Sequence, residues 1–246
     1  IPWDDDIDIC MLRSDVDKLT AALIDDPEYQ ITLVYDWFVK GRQVRFCSTN
    51  SLIPCFVDIS IYDRAAENSK RANDQLRQLR IELMDFFDKN EREFSFWKDN
   101  PWMVHPHSGL SVQCGDVDLE AQRTVVSSAE IDLVQSVFDS FNEKAHDLGL
   151  LTDESRGDFA YAIDNVFNAP KRKIIWDRND ILPVRKHPFD SFSFLVPAKA
   201  EKVADDCYPG WPYMPMDICG HDHFAKDVLS DPDVRSAMAK FVDECN

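Results

Sequence analysis

An acidic cluster at the start of the chain has the residue types and spacing of a metal-binding strand. The stretch Ile1–Ile9 contains four aspartates framed by proline, tryptophan and isoleucine. If it is a β-strand, Asp4, Asp6 and Asp8 project from one face, while Asp5 and the last two isoleucines project from the other. Same-face carboxylates about 7 Å apart repel by about 2 kcal/mol at an effective dielectric constant of about 20. A hard cation, Mg²⁺ or Mn²⁺, would offset this repulsion; the alternative is a solvated acidic turn.

Another aspartate interrupts an apolar run further along the chain. Asp58 lies within Ile53–Tyr62, whose composition predicts a central, buried strand. A buried carboxylate is costly without a partner, so Asp58 requires a metal ion or a donor; the alternative to a metal is a salt bridge to an arginine such as Arg45. Two carboxylates on one strand and a third on a neighbour form the layout for Mg²⁺-dependent phosphoryl or nucleotidyl transfer, in which the metal neutralises phosphate oxygens and a carboxylate takes the acceptor proton.

The composition restricts the classes of function. The 246 residues, 44% of them apolar, can bury the core of one domain, and the 7 glycines form neither a Walker nor a Rossmann phosphate loop. A net charge of −18 argues against nucleic-acid binding and against docking on anionic lipid through a basic surface. The 7 cysteines, odd in number and without C-x-x-C spacing, are typical of reduced thiols in a cytoplasmic protein. No apolar run reaches about 18 residues, so we expect no transmembrane segment.

Hydrophobic periodicity predicts the elements that would position these carboxylates. A helix is expected to follow a capping box formed by Ser14 and Asp17, with an apolar stripe through Val16, Leu19 and Leu23. The remaining predictions are a hairpin over 29–47, helices over 65–93 and 128–148, an irregular loop over 94–115, a short helix over 159–167, edge strands and turns over 181–196, an aromatic turn over 208–215 and a C-terminal helix from 230.

The residues around these aspartates resemble the LicD family, which includes the fukutin-related proteins. Ile1–Ile9 is similar to the family's signature block, and Met11 and Arg13 follow it as they do in that family. The residues Val57-Asp58-Ile59 with Tyr62-Asp63 resemble its second block, V-D-I-F-x-x-D. Weaker similarities follow in the same order, in the segments Ile181 to Pro197, Tyr208 to Pro215 and Asp217 to Phe224.

The resemblance implies an α/β (α+β) fold with a nucleotidyltransferase-type mixed β-sheet flanked by helices. We expect one LicD-like domain over 1–246, with the metal-site strands in 1–63, a mostly helical part in 64–170, and strands, an aromatic turn and a helix in 171–246. The family's glycine-rich segment precedes the aspartate block. We therefore expect the N-terminal part of the domain to lie upstream of Ile1.

The implied activity is Mg²⁺-dependent transfer of a phospho-alcohol, such as phosphocholine or ribitol phosphate, from a CDP-activated donor. The acceptor would be a hydroxyl of a cell-surface glycan or of a lipopolysaccharide or teichoic-acid precursor, and CMP would leave. Asp6 and Asp8, with Asp4 as a third ligand, would bind Mg²⁺ or Mn²⁺, and Asp58 would complete the site or accept the hydroxyl proton. The residues implied to bind substrate are Arg13, Asp63, His221 and His223. We expect the protein in the cytoplasm, peripheral at the inner face of the membrane.

Two other interpretations remain open at this stage. The chain could be a noncatalytic, degenerate transferase domain that binds a glycan or a partner chain. It could also be another metal-dependent nucleotidyltransferase or a hydrolase, with Cys219, His221 and His223 as ligands of a transition metal.

Overall fold

A mixed β-sheet flanked by helices forms the framework of the protein and confirms the predicted α/β class. The computed structural model describes residues 7–105, 126–161, 163–165, 173–189, 192–213, 228 and 230–245. Within these residues the main sheet has seven strands, and two further strands form a separate hairpin. None of the helices in these ranges is long and apolar enough to cross a membrane.

The elements are named in chain order. They are β1 (Asp8–Leu12), α1 (Arg13–Ala22), β2 (Tyr29–Asp36), β3 (Gly41–Ser48), β4 (Phe56–Ala65), α2 (Lys70–Lys89), α3 (Ser95–Asp99), β5 (Trp102–His105), α4 (Ser128–Asp147), β6 (Asp158–Tyr161), β7 (Ile175–Trp176), α5 (Arg178–Ile181), β8 (Arg185–Phe189), β9 (Phe192–Val196), α6 (Ala200–Cys207) and α7 (Pro232–Cys245).

Strand β4 organises the main sheet. The strand order is β5-β2-β3-β4-β6-β7, and β1 pairs with β4 outside this path. The β1–β4 pair is parallel, with Asp8 opposite Asp58 and Leu12 opposite Tyr62, whereas the other pairs are antiparallel. The hairpin predicted from the sequence is confirmed as β2 and β3. Strand β4 is central, as its apolar run predicts.

One face of β1 and β4 is buried by α1. Ile9 on β1 and Ile59 on β4 lie opposite each other and pack in a cluster that contains Val16. Leu19 and Leu23 pack against the same cluster, which confirms the predicted apolar stripe. The predicted capping box was wrong, because α1 begins at Arg13, two residues earlier than a Ser14 cap implies, and its N-cap residue, Leu12, makes no side-chain hydrogen bond.

A larger core lies between the sheet and the two long helices. The predicted helices over 65–93 and 128–148 are confirmed as α2 and α4, and α4 begins with a capping box of Ser127 and Glu130. Trp97 is completely buried in this core, and its ring nitrogen donates to the carbonyl oxygen of Tyr35 over 3.1 Å. Aromatic rings surround it at centroid distances of 4.9 Å to Phe87 and 5.3 Å to Trp37.

Two predictions failed because the short strands in these segments form through pairing with strands that are distant in sequence. The loop expected over 94–115 contains α3 and β5, and β5 pairs with β2; residues 106–115 lie outside the described residues. The helix expected over 159–167 begins instead as β6, which pairs with both β4 and β7. A strand of four residues has too few positions to show a period, and its ladder hydrogen bonds come from residues distant in sequence.

The caps give a matched test of helix initiation. Ser69 caps α2 by accepting a hydrogen bond from the Ala72 amide over 3.0 Å, whereas Ser14 lies inside α1. We expect Ser69→Ala to lower the free energy of unfolding by about 1 kcal/mol. Ser14→Ala should leave it unchanged or raise it by up to about 0.5 kcal/mol, because alanine is the better helix former. Urea denaturation of both variants measures this difference. An equal loss in the two variants would contradict the assigned caps.

Candidate functional site

Two of the predicted metal ligands lie side by side on neighbouring parallel strands. Asp8 on β1 and Asp58 on β4 are register partners, so their side chains leave the same face of the sheet. The two strand axes are about 4.8 Å apart at this position. Asp8 is exposed, and 17% of the Asp58 side chain is exposed. The structure therefore brings together two carboxylates that are distant in sequence.

The apolar face of the two strands keeps this register in place. Each aspartate is followed by an isoleucine, and Ile9 and Ile59 are register partners in the cluster beneath α1. A shift by one residue would turn either isoleucine outward and an aspartate into that cluster. Burial of the isoleucines thus fixes the carboxylates on the opposite face.

Arg45 supplies the salt bridge that was the alternative to a metal at Asp58. It lies opposite Asp58 on β3, and its Nε donates to Oδ1 of Asp58 over 2.7 Å. Only 6% of the Arg45 side chain is exposed. Its guanidinium carbon is 3.8 Å from the ring centroid of Phe56, an arrangement that gives a cation–π contact. Asp58 is therefore held in one orientation by a stacked guanidinium.

Asp8 and Asp58 fit a hard divalent cation by the chemistry of their ligand atoms. Mg²⁺ in phosphate-handling sites commonly takes one or two carboxylates and completes its octahedron with water and substrate oxygens. The Arg45 bond occupies Oδ1 of Asp58 and leaves Oδ2 as a potential ligand atom. Within the described ranges, no group of three or more His, Cys, Asp or Glu side chains could hold a metal ion. Asp4 and Asp6 lie outside the described residues, so their part in the site stays a prediction.

The other predicted substrate residues are not gathered at this pair. Arg13 directly follows β1 and forms a two-pronged contact with Asp63, with both distances 2.8 Å. Asp63 is an odd number of positions beyond Asp58 on β4, so it leaves the opposite face of the sheet. The structure thus joins Arg13 to Asp63 but separates both from Asp58. His221 and His223 lie outside the described residues.

A buried ion network, missed in the sequence, occupies the opposite face of the sheet. Asp164 receives Arg13 at 2.5 Å on one oxygen and Arg42 on the other, and Arg42 also contacts Asp139 at 3.1 Å. Burial alone would raise the pKa of Asp164, but the guanidiniums of Arg42 and Arg13 outweigh it and hold the pKa well below its ordinary value. The signal in the sequence was a single aspartate directly after an apolar segment.

Burial also acts on Tyr35, which lies next to this network. Desolvation raises the pKa of its hydroxyl to about 12, and that hydroxyl donates to Gln135 over 3.2 Å. Tyr35 is therefore neutral at physiological pH and serves the core as a hydrogen-bond donor. With its paired charges and neutral phenol, this face of the sheet has the character of a structural core.

Comparisons of the chain with known protein families, with curated proteins and with solved structures found no match. The assignment of function therefore rests on residue chemistry and on the geometry of one pair of carboxylates. That pair, Asp8 and Asp58 with Arg45 beside it, is the candidate functional site.

Proposed function

We propose that the protein is a Mg²⁺-dependent transferase that moves a phospho-alcohol, such as phosphocholine, from a CDP-activated donor to a glycan hydroxyl. The observation that carries this proposal is the parallel pairing that sets Asp8 beside Asp58 on one face of the sheet. This is the layout expected of two-strand carboxylate sites for phosphoryl transfer. The similarity of both strands to the LicD blocks points to the same chemistry, and with it to a nucleotidyltransferase-type fold.

Asp8 and Asp58 would bind Mg²⁺, or Mn²⁺ in its place. The metal, when bound, neutralises charge on the donor diphosphate. In the free protein Arg45 fixes the orientation of Asp58 through Oδ1 and leaves Oδ2 accessible. Asp58 would then bind the metal or accept the proton of the glycan hydroxyl. The hydroxyl oxygen forms its bond to the phosphorus that carries the alcohol, the bond from this phosphorus to CMP breaks, and CMP takes the electron pair. The donor is charged and does not cross bilayers, so the proposed location is the cytoplasm, at the inner face of a membrane.

A second candidate is a noncatalytic domain that binds a glycan or a partner chain. The observation that favours it is the Arg45–Asp58 salt bridge, which neutralises Asp58 without a metal. Such a domain would retain the fold and the sheet register. It would have no need of a metal-dependent nucleotide site.

Release of CMP separates the two candidates. The full-length protein is incubated with CDP-choline or CDP-ribitol, Mg²⁺ and candidate glycan acceptors, and CMP and the modified glycan are quantified. We expect equimolar CMP and product from one donor–acceptor combination, loss of both with EDTA, and recovery with Mg²⁺ or Mn²⁺. Absence of CMP from every combination, together with no Mg²⁺-dependent binding of CDP-choline in calorimetry, would favour the noncatalytic domain.

A further inference from the structure

Arg45, the salt-bridge partner of Asp58, is almost completely buried. With 6% of the side chain exposed, its Nη1 is shielded from solvent and has no hydrogen-bond partner within the residues described. A buried donor without an acceptor is costly, and each such group calls for an explanation, such as a bound water, an ion or a ligand. The unused donor belongs to the residue that neutralises Asp58 and that lies on the face carrying Asp8. The carboxylate pair therefore has a donor beside it that could bind an anion.

We propose that Arg45 is an exchangeable counterion that neutralises Asp58 in the free protein and binds a phosphate oxygen of the nucleoside diphosphate donor once a divalent cation occupies the site. This inference rests on the proposed function and assigns a donor-binding residue to it. Arg45 is a residue that the sequence alone marked only as a salt-bridge partner.

The charge balance of the three side chains supports the exchange. Two carboxylates and one guanidinium leave one net negative charge, which attracts a divalent cation and repels an anionic donor. Once a divalent cation is bound, the three side chains and the cation together carry one net positive charge. Asp58 then interacts with the metal, and the guanidinium can turn to the anionic donor. Metal binding would therefore precede donor binding or accompany it.

The chemistry of arginine suits this double role. Its planar guanidinium carries donors in a fixed fork, so one nitrogen can bind a carboxylate while another faces a phosphate oxygen. The ring of Phe56 supports the plane at 3.8 Å. A guanidinium over a ring can turn parallel to the ring without losing that contact, and such a turn would move Nη1 from its buried position toward an arriving phosphate.

Binding measurements on Arg45→Met test the inference without any need for turnover. Electron paramagnetic resonance gives the affinity for Mn²⁺ in the absence of nucleotide, and calorimetry gives the affinity for CDP in the presence of Mn²⁺. We expect Arg45→Met to bind Mn²⁺ about tenfold more tightly, because the competing charge is gone, and to bind CDP about tenfold more weakly. The opposite signs of the two changes distinguish an exchangeable counterion from a residue that only supports the fold.

Arg64→Met is the matched control. Arg64 also lies on β4 and stacks on an aromatic ring, 4.1 Å from the centroid of Phe159, but its hydrogen bond goes to the carbonyl oxygen of Gly157. We expect this variant to leave both affinities unchanged. If Arg45→Met does not fold, Arg45→Lys keeps the charge without the fork, and we expect it to retain Mn²⁺ affinity and to weaken CDP binding severalfold.

The outcomes separate this inference from the proposed function. Mn²⁺ binding that depends on Asp8 but is weakened or unchanged in Arg45→Met would overturn the counterion role alone. In the Arg45→Lys variant, CDP binding equal to that of the unaltered protein would overturn it as well. Mn²⁺ binding that is absent, or that Asp8→Asn does not weaken, would overturn the proposed function and the inference together.

Discussion

Asparagine in place of Asp8 is expected to reduce the rate of CMP release at least about a hundredfold while the protein stays folded. The amide is a weaker ligand for Mg²⁺ than the carboxylate, and it removes one of the two charges that attract the metal. Asp8 is exposed at the edge of the candidate site, and the change relieves its repulsion by Asp58. Substitutions at exposed positions usually change the free energy of unfolding by about 0.5 kcal/mol or less, and we expect no larger loss here. Initial rates of CMP formation and thermal denaturation of the same preparation measure both quantities.

Two further variants sharpen this result. Strand alternation in the sequence predicts that Asp5 points away from the metal ligands, so Asp5→Asn should retain the CMP-release rate. Asp58→Asn should also abolish release, but it leaves the buried charge of Arg45 without its carboxylate and should destabilise the protein. A fully active Asp8→Asn variant would refute the metal site, whatever Asp58→Asn does.

Asparagine in place of Asp164 is expected to lower the free energy of unfolding by about 3–5 kcal/mol at pH 7. Asp164 is 1% exposed and receives the guanidiniums of both Arg13 and Arg42. Its removal leaves two cations close together with one strong acceptor fewer, and water screens their mutual repulsion only in part, because 24% of the Arg13 side chain and 5% of the Arg42 side chain are exposed. Urea denaturation at pH 7 measures the loss.

The stability difference between the unaltered protein and Asp164→Asn should depend on pH. The pKa of Asp164 is lowered in the folded protein from an ordinary value of 3.8, so its ionised form stabilises the fold fully above that value. The stabilisation is lost as the pH falls from about 3.8 toward the lower folded value, because the unfolded chain binds the proton first. The stability difference between the unaltered protein and Asp164→Asn should therefore narrow below about pH 4.

Asp139→Asn is the control for this network. Asp139 contacts the same Arg42 over 3.1 Å, but 51% of its side chain is exposed. Water screens that pair, so we expect a loss of at most about 1 kcal/mol. A loss as large as that of Asp164→Asn would show that the stabilisation comes from Arg42 contacts in general and not from burial.

The long, periodic elements of this protein were predictable from their own residues. Each of these elements buries one face, and the spacing of apolar residues within the element marks that face. They are the α1 stripe through Val16, Leu19 and Leu23, the hairpin of β2 and β3, and the helices α2 and α4. The isoleucine–aspartate alternation likewise predicted that Asp8 and Ile9 would face opposite ways. The period of the apolar residues predicts such helices and strands because burial of their apolar face dominates the free energy of forming them.

Contacts between distant segments could not be predicted in this way. The parallel register that sets Asp8 beside Asp58 depends on how β1 docks along β4, and the Arg45 salt bridge depends on the β3–β4 register. The residues of one strand alone do not reveal which residues of the neighbouring strand they pair with. The sequence could only name Arg45 and a metal as competing partners of Asp58.

The sequence by itself determined which side chains could do chemistry: closely spaced aspartates at its start, and Asp58 alone in an apolar strand. The tertiary structure decided which residues lie next to them. It paired Asp58 with Asp8 and Arg45 on one face, and it placed Arg13 and Asp63 in a buried network on the other. The physical reason is that the electrostatic free energy of a charged side chain depends on its distance from other charges. Between neighbouring strands the register of the sheet sets this distance, and the spacing of the residues in the sequence does not.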